Sequence, residues 1–175
     1  MNINEYDSSL ENSMFLSKVD NIIILLYSGI MFDDLNRVKH KITDELFQKY
    51  QNILDNNNNN NVRQMYDELN VKSSSIVDIK KTEDKIIVKV NLICRYIDYL
   101  ANKTTLEYIS GNNKTREEHQ LLLTLEKNIN SKDLSVSMHC PGCGSPANIN
   151  AYGVCSYCGT RFNTEAFDYV LTNIE

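Results

Sequence analysis

The chain has 175 residues, 42% of them hydrophobic and 23% charged, with a formal charge of −5. That is enough for one substantial domain and a small appendage, and it excludes a disordered or fibrous class. An acidic chain is also a poor general ligand for nucleic-acid phosphates.

The elements follow in chain order. Met1 to Asp7 is polar and acidic, without the basic flank and apolar stretch of a signal peptide. Ser8 and Glu11 stand at capping-box spacing, which predicts a helix start there. Phe15, Val19, Ile22, Ile23, Leu26, Tyr27 and Ile30 then recur at helical period. The longest unbroken apolar run, Ile22 to Tyr27, is too short to span a bilayer. With no anchor or targeting signal, the expected location is cytoplasmic.

Phe32-Asp33-Asp34 predicts a break and a new N-cap, followed by a short helix through Leu35, Val38 and Ile42. Thr43-Asp44-Glu45 starts a third helix with Leu46, Tyr50, Ile53 and Leu54 on one side, its acidic first turn suiting the helix dipole. The asparagine run Asn56 to Asn61 is read as a solvated loop.

From Val71 to Lys81 the character turns to strand. Ile86, Val88, Val90, Leu92, Cys94 and Tyr96 alternate with Ile87, Lys89, Asn91, Ile93, Arg95 and Ile97. This is a long strand with a buried even-numbered face and a partly wet odd-numbered one. Asn102-Lys103 marks a turn, Thr104 to Ser110 a return strand, and Gly111 to Lys114 another turn. Leu121, Leu123 and Leu125 give a last long strand. Helices followed by an antiparallel sheet make the fold α+β.

Ser131 to Ser137 is a polar link to the most informative segment, Cys140-Pro-Gly-Cys143-Gly and Cys155-Ser-Tyr-Cys158-Gly. Each CxxC turn aims two sulfurs at one spot, and two such turns supply the four ligands of a tetrahedral structural zinc site. The glycine after each pair permits positive φ, so backbone amides can turn toward the thiolates. A Zn²⁺ on four thiolates takes the charge from −5 to about −7. A catalytic zinc keeps an open position, whereas four cysteines close the shell, so Cys140, Cys143, Cys155 and Cys158 read as a staple. His139 is a weaker competitor for the metal. Beyond the ribbon, Phe162, Phe167, Tyr169, Val170, Leu171 and Ile174 form an apolar tail expected to pack back on the sheet. The expected division is therefore 1–133 for the α+β domain and 134–175 for the zinc ribbon and its tail.

The chain resembles a family of bacterial zinc-ribbon proteins whose main domain is similar to the C-terminal domain of the mitochondrial inner-membrane translocase subunit Tim44. The stretches that carry the resemblance are Asp34-Leu35, Thr43-Asp44-Glu45-Leu46, Arg63 to Val71, Glu118 to Lys127, and the segment from Cys140 through Asp168-Tyr169-Val170-Leu171. The resemblance implies the cone shared by nuclear transport factor two and ketosteroid isomerase, a curved antiparallel sheet wrapped around helices. It also implies a leaning toward an interaction role, since the mitochondrial relative looks like a membrane-surface scaffold. The fold alone selects no function.

Three functions are expected in descending order. The first is a non-catalytic scaffold stapled by zinc, acting on an unidentified protein partner. The second is a small-ligand carrier or enzyme using the cone interior near His119, with Asp98, Tyr96 or Tyr99 as conceivable acid–base partners. The third is nucleic-acid binding through the ribbon, disfavoured because Arg161 is the only lysine or arginine between Met138 and Ile174. Cys94 is expected to be an inert buried thiol. The cluster Arg37, Lys39, His40, Lys41 is expected to be a solvated face, so peripheral membrane association has no support. The apolar odd-numbered face with Ile87, Ile93 and Ile97 leaves a homodimer open.

Overall fold

A 21-residue helix, α1 (Asn12–Phe32), follows a short 3-10 turn at Ile3–Glu5 and opens the fold. The computed structural model describes residues 1–129, 140, 143, 145, 154–159 and 168–175. The expected stripe is the buried face: Phe15, Val19, Ile22, Ile23, Leu26 and Ile30 are each at most 4% exposed. By length and composition α1 would also span a bilayer. In this fold, however, that face is committed to the protein core. The helix does not start from a capping box. Glu11 is the N-cap and makes no side-chain cap bond. Instead Asn12 Oδ1 accepts from Ile3 N at 2.8 Å, so the preceding turn is folded onto the helix start.

At its other end α1 stops on Asp33 at φ 56°, with the Asp34 amide bonded to the Gly29 carbonyl. A Cβ on Gly29 would lie 2.8 Å from the Asp34 carbonyl oxygen, so this tight exit requires glycine. The predicted short helix is absent. Asp34 Oδ1 accepts from the Asn36 amide, and only the 3-10 turn Lys39–Lys41 follows. Leu35, Val38 and Ile42 are nevertheless buried, so their spacing reported burial rather than helix.

Helix α2 (Asp44–Asn59) starts where Thr43 Oγ1 accepts from Leu46 N at 3.4 Å. It runs through most of the asparagine tract that the sequence suggested was a loop. Helix propagation adds one backbone bond per residue, so an established helix carries weak formers along. The tract ends the helix by its own side chains, with Asn60 Nδ2 donating to the Asn56 carbonyl at 2.8 Å. Leu46 and Leu54 are buried, but Ile53 is 41% exposed and lies off the inward face.

Among the described residues five antiparallel strands follow: β1 (Val62–Lys81), β2 (Lys85–Asn102), β3 (Tyr108–Gly111), β4 (Glu117–Asn128) and β5 (Val170–Ile174). The order is β1-β2-β4-β5, with β3 also paired to β2. The β2 prediction is met: Ile86, Val88, Val90, Leu92, Cys94 and Tyr96 are all buried, and the odd-numbered residues between them are not. Val88, Val90 and Leu92 face Leu125, Leu123 and Leu121 across the β4 register, and both helices pack on the β1 side. Two strand bounds differ from expectation. β1 begins nine residues before Val71, and β3 begins only at Tyr108. The tail does pack on the sheet as β5, pairing Glu126 with Val170 and Leu125 with Leu171. The expected boundary between 133 and 134, the link Ser131 to Ser137, and the tail residues Phe162 and Phe167 lie outside the described residues.

Candidate metal centre

Cys140 and Cys155 are buried at 2% exposure, while Cys143 and Cys158, the second cysteine of each pair, are exposed. All four Sγ atoms lie within 4.8 Å of one another. Cys140 Sγ is 3.6 Å from Cys158 Sγ, and Cys143 Sγ is 3.9 Å from Cys155 Sγ. These are not disulfides, whose sulfurs stand about 2.05 Å apart. A regular tetrahedron with metal–sulfur bonds of about 2.3 Å has sulfurs about 3.8 Å apart, so the observed spacings bracket that of a shared cation.

The backbone around the sulfurs is arranged for negative charge. The Tyr157 amide donates to Cys155 Sγ at 3.4 Å, and the Gly159 amide donates to the Cys155 carbonyl at 2.9 Å. Gly159 has φ +73°, the positive value the sequence anticipated after a CxxC pair. On the other arm the Cys140 amide donates to the Ser145 carbonyl at 2.7 Å, and the Ser145 hydroxyl lies 3.1 Å from Cys143 Sγ. Desolvation pushes the Cys155 thiol up, with the Cys140 and Cys158 thiols adding to the effect. A divalent cation reverses that logic, because it takes the thiolate as ligand. The sequence thus located all four candidate ligands, and they can hold a metal ion. The Gly144 and His139 expectations lie outside the described residues.

The second candidate site, around His119, is built differently. His119 sits on β4 opposite Cys94, and its imidazole lies flat on the Tyr96 ring, centroids 4.0 Å and planes 1° apart. Tyr96 in turn meets Tyr27 and Tyr66 edge-on, at 5.5 and 5.0 Å. Burial pushes the Tyr96 phenol up to about 12 and raises Tyr27 and Tyr66 further. Among the described residues neither a carboxylate nor a tyrosine hydroxyl hydrogen-bonds His119 Nε2. Asp98 accepts from Gln64 Nε2 at 2.6 Å, the Tyr99 hydroxyl donates to Asp67, and His119 Nε2 is buried without a hydrogen-bond partner. Cys94 is fully buried, its thiol pushed up to about 11 by desolvation. Periodicity had placed His119 on the inward face, but the aromatic stack that covers it was not readable from strand spacing.

The family model of the Tim44-like domain matches residues 1–136. No curated protein sequence matches the chain. Among solved structures, the crystal structure of the intermembrane space region of the chloroplast protein ARC6 is similar at TM-score 0.40 and 8% identity, covering 63% of this chain and 82% of that one.

Proposed function

Since this chain belongs to the Tim44-like domain family, we propose that it is a non-catalytic interaction scaffold whose C-terminal segment is stapled by a structural zinc ion. The four-thiol cluster carries the reading. Four sulfurs at tetrahedral spacing fill every coordination position of zinc, leaving none for a substrate or a metal-bound water. Thiolate sets of this geometry also suit iron, and zinc is the choice because CxxC knuckles with a following positive-φ glycine make a closed structural site. The cation, when bound, supplies cross-linking energy and charge neutralisation. The chain's own part is to present the sulfurs and to turn the Tyr157 amide toward one of them.

The His119 environment supports a non-catalytic reading as well. A general acid or base works through a hydrogen-bonded partner and an approach for substrate. Here one ring face is covered by Tyr96, and the buried Nε2 has no hydrogen-bond partner among the described residues.

The test joins two measurements on the full-length protein purified under reducing conditions. Elemental analysis is expected to give one zinc per chain, and in-cell cross-linking followed by affinity capture is expected to recover a defined protein partner. Purified protein without stoichiometric metal would overturn the staple. Turnover of a metabolite, with no cross-linked partner, would overturn the scaffold.

A further inference from the structure

We propose that strand β3 and the turn leading into it form the docking edge for an extended partner segment carrying lysine or arginine between apolar side chains. This rests on the scaffold reading and names the chemistry of its partner.

The first observation is a run of exposed apolar surface, tied to the fold through the Tyr108 hydroxyl, which donates to the Gly111 carbonyl at 2.9 Å. Leu106 is 58% exposed, Tyr108 50% and Ile109 46%. Three large apolar side chains within four consecutive residues make a concentrated patch, unlike the scattered exposures elsewhere. Leu106 also sits at φ +61°. A left-handed leucine is strained relative to glycine or asparagine, which would make the same turn. The turn is already held without that side chain, by Asn102 Oδ1 accepting from the Thr104 and Thr105 amides at 2.9 Å. Backbone strain and solvent-exposed leucine at one residue are expected where the side chain serves something outside the fold.

The second observation is an open strand edge. Every residue of β3 is exposed, and β3 pairs only with β2 among the described strands. The long edge strand β1, by contrast, is broken by three register irregularities, which discourage pairing. An extended peptide adds to an open edge through main-chain bonds, with alternate side chains giving specificity.

The third observation selects the sign of the partner. Asp98 and Glu117 line a groove of about 380 Å³ beside Ser110 and Gly111, and Glu107 precedes β3. Their recorded partners are neutral: Gln64 for Asp98, Asn112 for Glu117, Thr105 for Glu107. The neighbouring cations are engaged elsewhere, Lys103 with Asp33 at 2.6 Å and Arg116 with Glu68 at 4.0 Å, leaving Lys114 on the turn. The patch is therefore net negative. A second copy of a chain with formal charge −5 is a worse match than a basic segment.

The test uses the full-length, metal-loaded protein and two fluorescein-labelled ten-residue peptides, one alternating lysine with valine and one alternating glutamate with valine. Anisotropy is expected to show binding of the lysine peptide only, weakening with salt, and amide shifts are expected at residues 106–112. Leu106→Gly is the deciding variant. It relieves the positive φ, so the melting temperature is expected to rise while peptide affinity falls about tenfold, a loss of about 1.4 kcal/mol. Asp98→Asn is expected to weaken binding several-fold in low salt and to have less effect in high salt. Equal binding of both peptides, unchanged affinity in Leu106→Gly, or shifts confined to other surfaces would overturn the proposal. So would a concentration-dependent dimer, or binding to phosphatidylglycerol vesicles, that Leu106→Gly abolishes. If Leu106→Gly cross-links to the wild-type partner as efficiently as the wild type does, β3 is not the docking edge although the scaffold reading stands. If the wild type cross-links to nothing, the scaffold reading falls by itself.

Discussion

Lys127 Nζ donates to Asp7 Oδ2 at 2.8 Å, joining β4 to the N-terminal segment across 120 residues. The two side chains are only 16% and 9% exposed, so this pair is shielded in a way surface ion pairs are not. Burial alone raises the Asp7 carboxyl, but the Lys127 and Ser9 hydrogen bonds outweigh it and hold Asp7 below its ordinary value. A carboxyl depressed in the folded state stabilises the fold above its unfolded pKa, and that stability is lost as pH falls through the folded value. Asp7→Asn is therefore expected to cost about 2 kcal/mol at pH 7, mostly by leaving Lys127 without a counter-charge. Urea denaturation at pH 7 and pH 3 checks it: the gap between wild type and variant should shrink at the lower pH.

Asp20 predicts the opposite sign. It is half-buried on α1, with Oδ1 buried and without a hydrogen-bond partner among the described residues, and desolvation raises its carboxyl although Ser74 on β1 partly offsets the rise. A carboxyl raised by folding holds its proton more tightly in the native state, so the native state is penalised once pH exceeds the folded pKa. Asp20→Asn is expected to stabilise the protein by about 0.5 kcal/mol at pH 7. Thermal melts at pH 7 and pH 4 should show the gain shrinking in acid. A destabilised Asp20→Asn at neutral pH would contradict the assignment.

Metal and thiol chemistry separate the five cysteines. Cys140→Ser or Cys158→Ser is expected to reduce bound zinc to well below one equivalent, because the closed site needs all four sulfurs. Cys94→Ser should keep a full equivalent, since Cys94 lies in the sheet core. Its thiol, pushed up to about 11 by burial, should not react with Ellman's reagent at pH 8. Chelation is then expected to expose four reactive thiols, with the fifth appearing only on denaturation. Five reactive thiols on chelation alone would mean that the metal holds the whole sheet together.

What the sequence made legible follows from what each signal measures. Alternation over Ile86 to Tyr96 reads out one buried face and one wet face, and a half-buried strand has that asymmetry. The α1 stripe and the four cysteines were legible for the same reason: a periodic or spaced pattern with one physical cause. Leu35, Val38 and Ile42 show where the signal is ambiguous. Their spacing suits a helix, but they are buried from an Asx turn and a 3-10 turn, because burial fixes which residues are apolar and not how the backbone connects them. The first nine residues of β1 were missed because their apolar residues Val62, Met65, Tyr66 and Leu69 do not alternate with polar ones and none of the nine is fully buried. The asparagine tract was missed because helical continuity overrode composition. At His119 the facing was readable, but the flat stack on Tyr96 depends on a cross-strand register that no single strand contains.

Leu171 supplies the last test, because it lies where the two ends of the fold meet. It is fully buried, pairs with Leu125 on β4, and forms a parallel bridge to Ile42 on its other side. Its carbonyl also accepts from the Thr43 amide, the N-cap of α2, at 3.0 Å. The residues before it are clamped too. Asp168 accepts from Lys18 on α1 at 2.8 Å, and the Tyr169 ring meets Phe15 edge-on at 5.0 Å. β5 is thus the last strand of the sheet, paired with β4 and bridged at Leu171 to Ile42, and the segment bearing the cysteines is tied at each end to adjacent strands. Leu171→Ala is expected to cost about 3 kcal/mol, in the range for a leucine removed from a packed interior. Deleting residues 170–175 should cost more, since it also leaves one edge of β4 unpaired over Leu123 and Leu125. Urea denaturation measures the first effect, and hydrogen exchange in β4 amides measures the second. If the truncated chain keeps wild-type protection at Leu122, whose amide donates to the Glu175 carbonyl at 2.8 Å, β5 contributes nothing to the sheet, and the staple has no packed strand to hold in place.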